Sequence, residues 1–240
     1  MPSALKPRPA PQALAPAAAD TAERQAPLVQ TTLQRLLHDI MAGVYGPGHR
    51  IREEEVALRL GVSRAPVREA LRVLEQDGLI ELTPWRGARV VKLDAAAVVD
   101  LFDLLGMMYG GVARLAVRHA SDADLERLFD CMHSLSRRLT PEHDFVKQID
   151  LSYQMGALLG ECSKSQLADR MLRRLGRISY LQHRVLAPVP AAWLRTSKLR
   201  VAKLEEALRA RSADRAEKAA RKVIRHTATL LQRRIAAAGG

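Results

Sequence analysis

The sequence predicts a mainly α-helical protein in two parts, a small N-terminal part that ends in a β-hairpin and a larger bundle of about six helices. Three observations support this fold class. Hydrophobic residues make up 48% of the 240 residues but aromatic residues only 4%, so aliphatic side chains must supply most of the buried area. Apolar residues recur at helical spacing along most of the chain, and no strand pattern follows Lys92.

The chain begins with an Ala- and Pro-rich segment, residues 1–26. It lacks the basic start, compact apolar stretch and small-residue cleavage site of a secretory signal, so we expect a disordered arm. The first helix follows, because Leu28–Ala42 carries apolar residues close to a 3.6-residue period. Gly43 and the turn Gly46-Pro47-Gly48 are expected to end it.

Two short helices come next. The helical pattern resumes at Glu53 and stops at Gly61, and Ser63 is well placed to cap the N-terminus of a helix that continues to Asp77-Gly78. A turn of only three residues therefore separates the two helices.

A hairpin completes the N-terminal part. Leu79–Thr83 and Ala88–Val91 are β-prone segments on either side of Pro84-Trp85-Arg86-Gly87. One helix, two short helices at a tight turn, and a hairpin form the layout of a winged helix-turn-helix domain, which we place at residues 27–93.

The remainder, residues 94–240, is predicted to form an all-helical domain. Proline and short polar stretches separate its apolar-periodic segments. The predicted helices are Ala95–Ala120, Asp122–Leu139, Phe145–Leu159, Lys164–Leu186, Ala191–Ala210 and Asp214–Ile235.

Composition narrows the class of protein. The net charge of +12 favours phosphate-rich partners, nucleic acid first, although most of the excess lies beyond residue 94 and does not locate a binding site. Cys131 and Cys162 are too few and too far apart for a disulfide scaffold, which favours a reducing cytoplasm. The longest apolar stretch, Leu104–Ala113, is about half of the ~20 residues that a membrane helix needs, so no membrane span is expected.

The helix after Ser63 has the properties of a DNA recognition helix. Arg64 and Arg68 are four residues apart and project from the side opposite its apolar residues, near the N-terminal end. Such arginines can bind guanine in the major groove or hold a phosphate. On spacing alone they could equally be an exposed pair beside acidic neighbours. The hairpin favours DNA, because Arg86, Gly87 and Arg89 form a flexible, basic wing.

These residues resemble the signature of a known family. Residues 63–71, 74–80 and 86–90 are similar to the GntR family of bacterial transcription regulators, and the helical remainder is similar to its FadR-type subgroup, whose effector domain is called FCD. The resemblance implies that Arg64 and Arg68 contact DNA and that Gly87 is the wing glycine. It also implies a homodimer on a palindromic double-stranded DNA operator, modulated by a small organic acid or acyl ligand.

Many FCD domains share a metal site built from one Asp and three His, and this sequence departs from it. By resemblance, Asp150 and His226 fit two positions, but Gln154 and Val201 occupy the other two. Neutral Gln is a poor ligand for a transition ion and Val has no donor, so we expect no metal and no cofactor. His226 is either a hydrogen-bonded core residue or a pocket-lining acceptor.

The effector pocket is expected to be partly apolar. The family often places an Arg and a Glu where Gly106 and Gly110 stand, and these glycines indicate either close helix packing or room for a ligand. An effector could then be more apolar than a sugar acid, or could bind Arg114 or His183. The predicted pocket residues are Met107, Met108, Asp150, Gln154, Val201 and His226.

Two other functions are alternatives to a transcription regulator. One is an enzyme that uses His183, His226 and Asp150, but the sequence has no nucleophile motif or phosphate loop, so we expect no enzymatic activity. The other is a non-specific DNA-packaging protein, whose binding would be salt-sensitive and indifferent to sequence.

Overall fold

The computed structural model of the chain describes residues 17–83, 87–183 and 189–238. It is mainly helical with one small sheet, as predicted. The elements in chain order are α1 (Ala17–Ala42), β1 (Arg50–Ile51), α2 (Glu53–Leu60), α3 (Arg64–Gln76), β2 (Ile80–Thr83), β3 (Gly87–Val90), α4 (Ala95–His119), α5 (Asp122–Arg138), α6 (Phe145–Cys162), α7 (Gln166–His183), α8 (Ala191–Arg209) and α9 (Ala213–Ala238).

Helix α1 begins earlier than the sequence pattern predicts. It starts at Ala17, so residues 17–26 are helical and the expectation of a disordered arm is wrong for them; residues 1–16 lie outside the described part of the chain. Pro27 lies inside this helix. The alanines explain the difference, because Ala has the highest helix propensity and extends a helix even without an apolar stripe.

The N-terminal domain is a winged helix-turn-helix. Helix α2 ends at Gly61, whose left-handed φ of 65° reverses the chain, and Ser63 occupies the N-cap position of α3. The strands form an antiparallel sheet in the order β1-β3-β2. Strand β1 was not predicted, because two residues are too short to show an alternating pattern.

The two domains have separate hydrophobic cores. One is formed by α1, α2, α3 and the sheet, with Leu36, Val67 and Leu74 fully buried. The other fills the bundle, where α4 lies along α9 and also contacts α6 and α7. The bundle helices lie close to their predicted positions, with ends that differ by up to three residues; Leu186 is outside the described residues.

Helix α4 is the one described helix that is long and apolar enough to cross a membrane. Its apolar residues, including Phe102, Leu105 and Val112, are buried against other helices of the bundle. Buried core helices commonly meet the same criterion of length and composition, so this feature is weak evidence for a membrane.

Candidate nucleic-acid interface and ligand cavity

Helix α3 presents its basic residues to solvent. Val67, Leu71 and Leu74 are buried in the domain core, whereas the side chains of Arg64 and Arg68 are 60% and 54% exposed. The Ser63 side chain makes no cap hydrogen bond to the helix, so its hydroxyl is available to another acceptor. The N-terminal turn of α3 is therefore an open, basic surface.

Both arginines of α3 form ion pairs with the start of α2. The Nη2 of Arg64 lies 2.7 Å from Oε1 of Glu54, and Arg68 donates from Nε and Nη2 to the Glu53 carboxylate at 3.0–3.3 Å. The hydrogen bond to Glu53 raises the pKa of Arg68. Exposed pairs of this kind contribute little to stability and weaken in salt, so a DNA phosphate or base can replace the carboxylates.

The wing contains a second group of arginines. Gly87 has a φ of +79°, a conformation that favours glycine, and it begins β3. Arg89 donates from Nη1 to the carbonyl of Gly48 at 2.7 Å, which fixes its guanidinium beside the loop before β1. Arg86 lies outside the described residues.

Arg50 is a further basic residue of this surface that the sequence pattern does not reveal. It pairs with Arg89 across β1 and β3, and both side chains are exposed on the same face of the sheet. A Cβ built at Gly87 would lie 3.9 Å from Nε of Arg50, so this arginine borders the wing. Only the pairing of β1 with β3 brings Arg50 to the wing, and the sequence did not reveal that strand.

The bundle encloses a cavity of about 90 Å³ between α4, α6, α7, α8 and α9. Its lining is largely apolar, and no Asp or Glu is among the described residues that line it. The lining residues are Phe102, Leu105, Tyr109, Leu135, Leu139, Phe145, Gln148, Ile149, Ser152, Tyr153, Met155, Gly176, Ser179, Tyr180, Trp193, Ser197, Arg200, Val201, Val223, Ile224 and Thr227.

The cavity wall includes three polar side chains with unpartnered buried atoms. These are Oε1 of Gln148, Oγ of Ser197 and Nε of Arg200. Gln148 is only 3% exposed, and its Nε2 donates to the carbonyls of Thr140 and His143, which orients Oε1 as the free acceptor. Buried polar atoms without a partner are uncommon and require an explanation.

Of the six predicted pocket residues, one lines the cavity and five lie outside its lining. Val201 lines the cavity. Met107 is 56% exposed on α4 and Gln154 is exposed on α6, so neither lines the cavity, and Met108 packs partly buried against the core. On α6 the cavity-facing residues, including Ile149 and Ser152, follow helical spacing, and Gln154 lies outside that stripe.

Asp150 and His226 also lie outside the lining and have partners of their own. Asp150 Oδ1 accepts a hydrogen bond from the Tyr180 hydroxyl at 2.5 Å. His226 stacks on Trp193 with ring centroids 5.0 Å apart, its Nε2 lies 3.1 Å from the Trp193 carbonyl, and the indole donates to the His226 carbonyl at 3.2 Å. The pKa of His226 is lowered, mainly by burial, and the nearby charge of Arg200 lowers it further. Of the two alternatives for His226, a hydrogen-bonded core residue or an acceptor that lines the pocket, these contacts favour the first.

The residues present do not fit the metal site of the related domains. Oδ1 of Asp150 is occupied by Tyr180, and Nε2 of His226 donates to a carbonyl. No group of three His, Cys, Asp or Glu side chains that could hold a metal occurs in the described ranges. Of the residues of the enzyme hypothesis, Asp150 and His226 have the partners given above, and the side chain of His183 lies outside the described residues.

The other suggested ligand-binding features have structural explanations. Arg114 pairs with Asp214 and Glu217 of α9 and does not line the cavity. A Cβ at Gly110 would meet Cγ of Arg221 at 2.9 Å, so this glycine allows close packing of α4 on α9.

Helix α7 connects the cavity to the DNA-binding domain. Gly176, Ser179 and Tyr180 line the cavity. On the same helix, Arg177 Nη2 lies 2.5 Å from Oδ2 of Asp77, the C-cap residue of α3.

The apolar residues of α7 complete this contact. Ile178 Cδ1 would lie 3.2 Å from a Cβ built at Gly78, just after α3, and Leu181 is fully buried within the N-terminal core. One helix therefore contacts both the cavity and the end of the recognition helix.

Comparisons with known proteins agree with both domains. The profile of "Bacterial regulatory proteins, gntR family" matches residues 28–90, and that of the "FCD domain" matches residues 100–226. The chain is 28% identical over 167 residues to the HTH-type transcriptional repressor RspR of Escherichia coli, covering 68% of this chain and 72% of that protein. It is 37% identical over 86 residues to the Nta operon transcriptional regulator of Aminobacter aminovorans, and this match covers 36% of this chain and 41% of that protein.

Solved structures have the same fold. The E. coli protein McbR/YncC superposes with a TM-score of 0.74 at 20% identity, covering 86% of this chain and 97% of that one. A putative GntR regulator from Rhodococcus sp. RHA1 gives a TM-score of 0.66 at 22% identity, and the match covers 88% of this chain and 98% of that one. The two profiles together cover most of the chain, and it therefore belongs to the gntR family of bacterial transcription regulators that carry a C-terminal FCD effector-binding domain.

Proposed function

We propose that the protein is a cytoplasmic homodimer that binds a palindromic DNA operator and that a small molecule in the bundle cavity modulates this binding. One observation carries the proposal: α7 lines the cavity with Tyr180 and holds the end of the recognition helix through Arg177 and Asp77. A ligand that binds one position of α7 better than another would shift the population of recognition-helix orientations.

The proposed DNA contacts follow from the exposed basic surface. Helix α3 enters the major groove with Arg64 and Arg68, and Ser63 donates to a phosphate. The wing, with Arg86, Gly87 and Arg89, lies along the adjacent backbone. Arg50 joins the wing contacts because it is exposed beside Arg89, and the glutamates of α2 release their arginines when DNA binds.

The proposed dimer uses the outer face of α4. Leu104 and Met107 are 54% and 56% exposed although they are apolar, and nothing lies within 4 Å of a Cβ built at Gly111, one turn further along the same face. Exposed apolar residues in a row on one helix favour a partner surface. A second copy in this position gives the protein two recognition helices for two half-sites.

The test of DNA recognition begins with selection of duplexes from a random library by the purified full-length protein. Fluorescence anisotropy then compares the selected palindrome with a scrambled duplex at two salt concentrations. We expect Arg68→Ala to weaken palindrome binding about tenfold or more, because a bidentate base contact is lost, with an unchanged circular dichroism spectrum.

Arg195→Ala is the matched control, since Arg195 is exposed on α8, outside the proposed interface. Equal binding of both duplexes would indicate a packaging protein and contradict the proposal. If Arg68→Ala binds the palindrome as tightly as the parent does, α3 is not the helix that enters the major groove.

A further inference from the structure

We infer that the bundle cavity binds a small organic carboxylate directly, through Arg200 and Ser197 of α8, with no metal between protein and ligand, and that Gln148 of α6 accepts a hydrogen bond from a donor on the same ligand. This inference rests on the proposed regulatory function of the cavity but concerns the chemistry of its occupant.

The acid-binding side of the cavity is on α8. Ser197, Arg200 and Val201 recur at helical spacing and line the cavity together. The Arg200 Nε and the Ser197 hydroxyl are buried and have no partner among the described residues, and both can donate hydrogen bonds. Two donors within one helical turn match the two oxygens of a carboxylate.

Electrostatics also favour an anion. Arg200 supplies a guanidinium group whose buried Nε has no hydrogen-bond partner in the described chain. It also borders the surface groove between α8 and α9, where Lys203 and Lys222 add positive charge. A partly buried cation without a counterion is costly, and a bound carboxylate would remove that cost.

Gln148 of α6 defines the rest of the ligand. Gln148 lines the cavity and is almost fully buried, its amide nitrogen already donates to two carbonyls, and its Oε1 has no donor among the described residues. Around these polar atoms the wall is aromatic and aliphatic, with Phe102, Phe145 and Trp193 among the lining residues. The cavity has room for roughly six to nine water-sized groups, so the ligand is compact, with an apolar body and a hydroxyl or amine.

The experiment is isothermal titration of the full-length protein, in buffer with EDTA, using benzoate, the three hydroxybenzoates, phenylacetate and isovalerate. Benzamide is the neutral control, and phenyl phosphate tests whether the site prefers a phosphate to a carboxylate. We expect at least one carboxylate to bind at submillimolar concentration, with benzamide weaker by roughly tenfold or more, because hydrogen bonds to a charged group are lost. At least one hydroxybenzoate should bind more tightly than benzoate.

Variants separate the two sides of the site. Arg200→Gln should weaken carboxylate binding roughly tenfold or more and Ser197→Ala less, while Arg195→Gln, exposed on the same helix, leaves it unchanged. Gln148→Leu should remove only the advantage of the hydroxyl. Circular dichroism checks that each variant is folded. If Arg200→Gln does not fold, Ser197→Ala still tests the acid-binding side of the cavity.

Several results would overturn the inference. These are no binding by any carboxylate at millimolar concentration, tighter binding of phenyl phosphate, binding that EDTA abolishes, or equal affinity in Arg200→Gln, Ser197→Ala and the parent. Ligand binding is measured without DNA, so its failure is distinct from that of the regulatory function. Arg68→Ala, which should lose the operator, should still bind the carboxylate.

Discussion

Replacing Gly156 with Ala should destabilise the bundle, because α6 approaches Tyr109 of α4 too closely at this point. A Cβ built at Gly156 would lie 2.0 Å from the Tyr109 hydroxyl oxygen and 3.0 Å from Cζ. An ordinary contact between carbon and oxygen is at least about 3.3 Å, so one of the groups must move by roughly 1.3 Å. Tyr109 is 6% exposed, which leaves the cavity as the space into which its ring can turn.

Gly106→Ala provides the matched control. Gly106 also lies inside a bundle helix, and its added Cβ would meet Ile224 at 3.8 Å, an ordinary contact. Both substitutions gain about 1 kcal/mol of helix propensity, so the difference between them isolates the clash. Overpacking costs about 1–3 kcal/mol, which predicts that Gly156→Ala melts roughly 2–12 °C below Gly106→Ala.

The assay is thermal unfolding of both variants, followed by circular dichroism at equal protein concentration. Equal melting temperatures for the two variants would refute the reasoning, because Tyr109 could not then lie against α6 as described. A further consequence is that Gly156→Ala should bind carboxylates more weakly, since the displaced ring occupies part of the cavity.

The remaining predictions concern the dimer, one histidine, the coupling helix and the metal content. Met107→Glu should convert a dimer to a monomer in light scattering at micromolar concentration, whereas Leu167→Glu on α7, where Leu167 is 63% exposed, should not; a dimeric Met107→Glu would exclude this face of α4. Because burial lowers the pKa of His226, its contribution to stability is complete above its ordinary pKa of 6.5 and is lost as the pH falls through its lowered value. The parent should therefore lose more stability in urea unfolding between pH 7.5 and 5.5 than His226→Gln, and equal losses would argue against a buried neutral histidine. Arg177→Ala should leave operator binding of the ligand-free protein measurable but reduce the effect of a bound carboxylate on it, and an unchanged effect in anisotropy would show that the pair with Asp77 does not carry the coupling. Protein purified without chelator or metal-affinity resin should contain no stoichiometric zinc, nickel or manganese by elemental analysis, and metal that is lost in a His226→Ala variant would contradict this.

The sequence by itself determined the helices and the family, because both depend on local patterns. Apolar spacing and chain-reversing residues such as Gly61 define the helices, and the run from Ser63 to Leu71 carries the recognition-helix signature. Local pattern was insufficient where the pattern was short or absent. Strand β1 has two residues, and α1 extends to Ala17 through high intrinsic helix propensity without an apolar stripe.

Tertiary structure alone decided which side chains meet in the cavity. The family resemblance points to Asp150 and Gln154 on α6, but the rotation of this helix places Gln148 and Ser152 in the cavity wall instead. Nothing in the sequence marks Arg200 as different from the many other arginines of the C-terminal helices, since its lack of a partner depends on the position of every neighbouring helix. Leu181 likewise has an ordinary helical pattern, and only packing of α7 against the N-terminal domain places it in that domain's core. Residue type and spacing determine secondary structure locally, whereas a binding site depends on contacts between residues that are far apart in the chain.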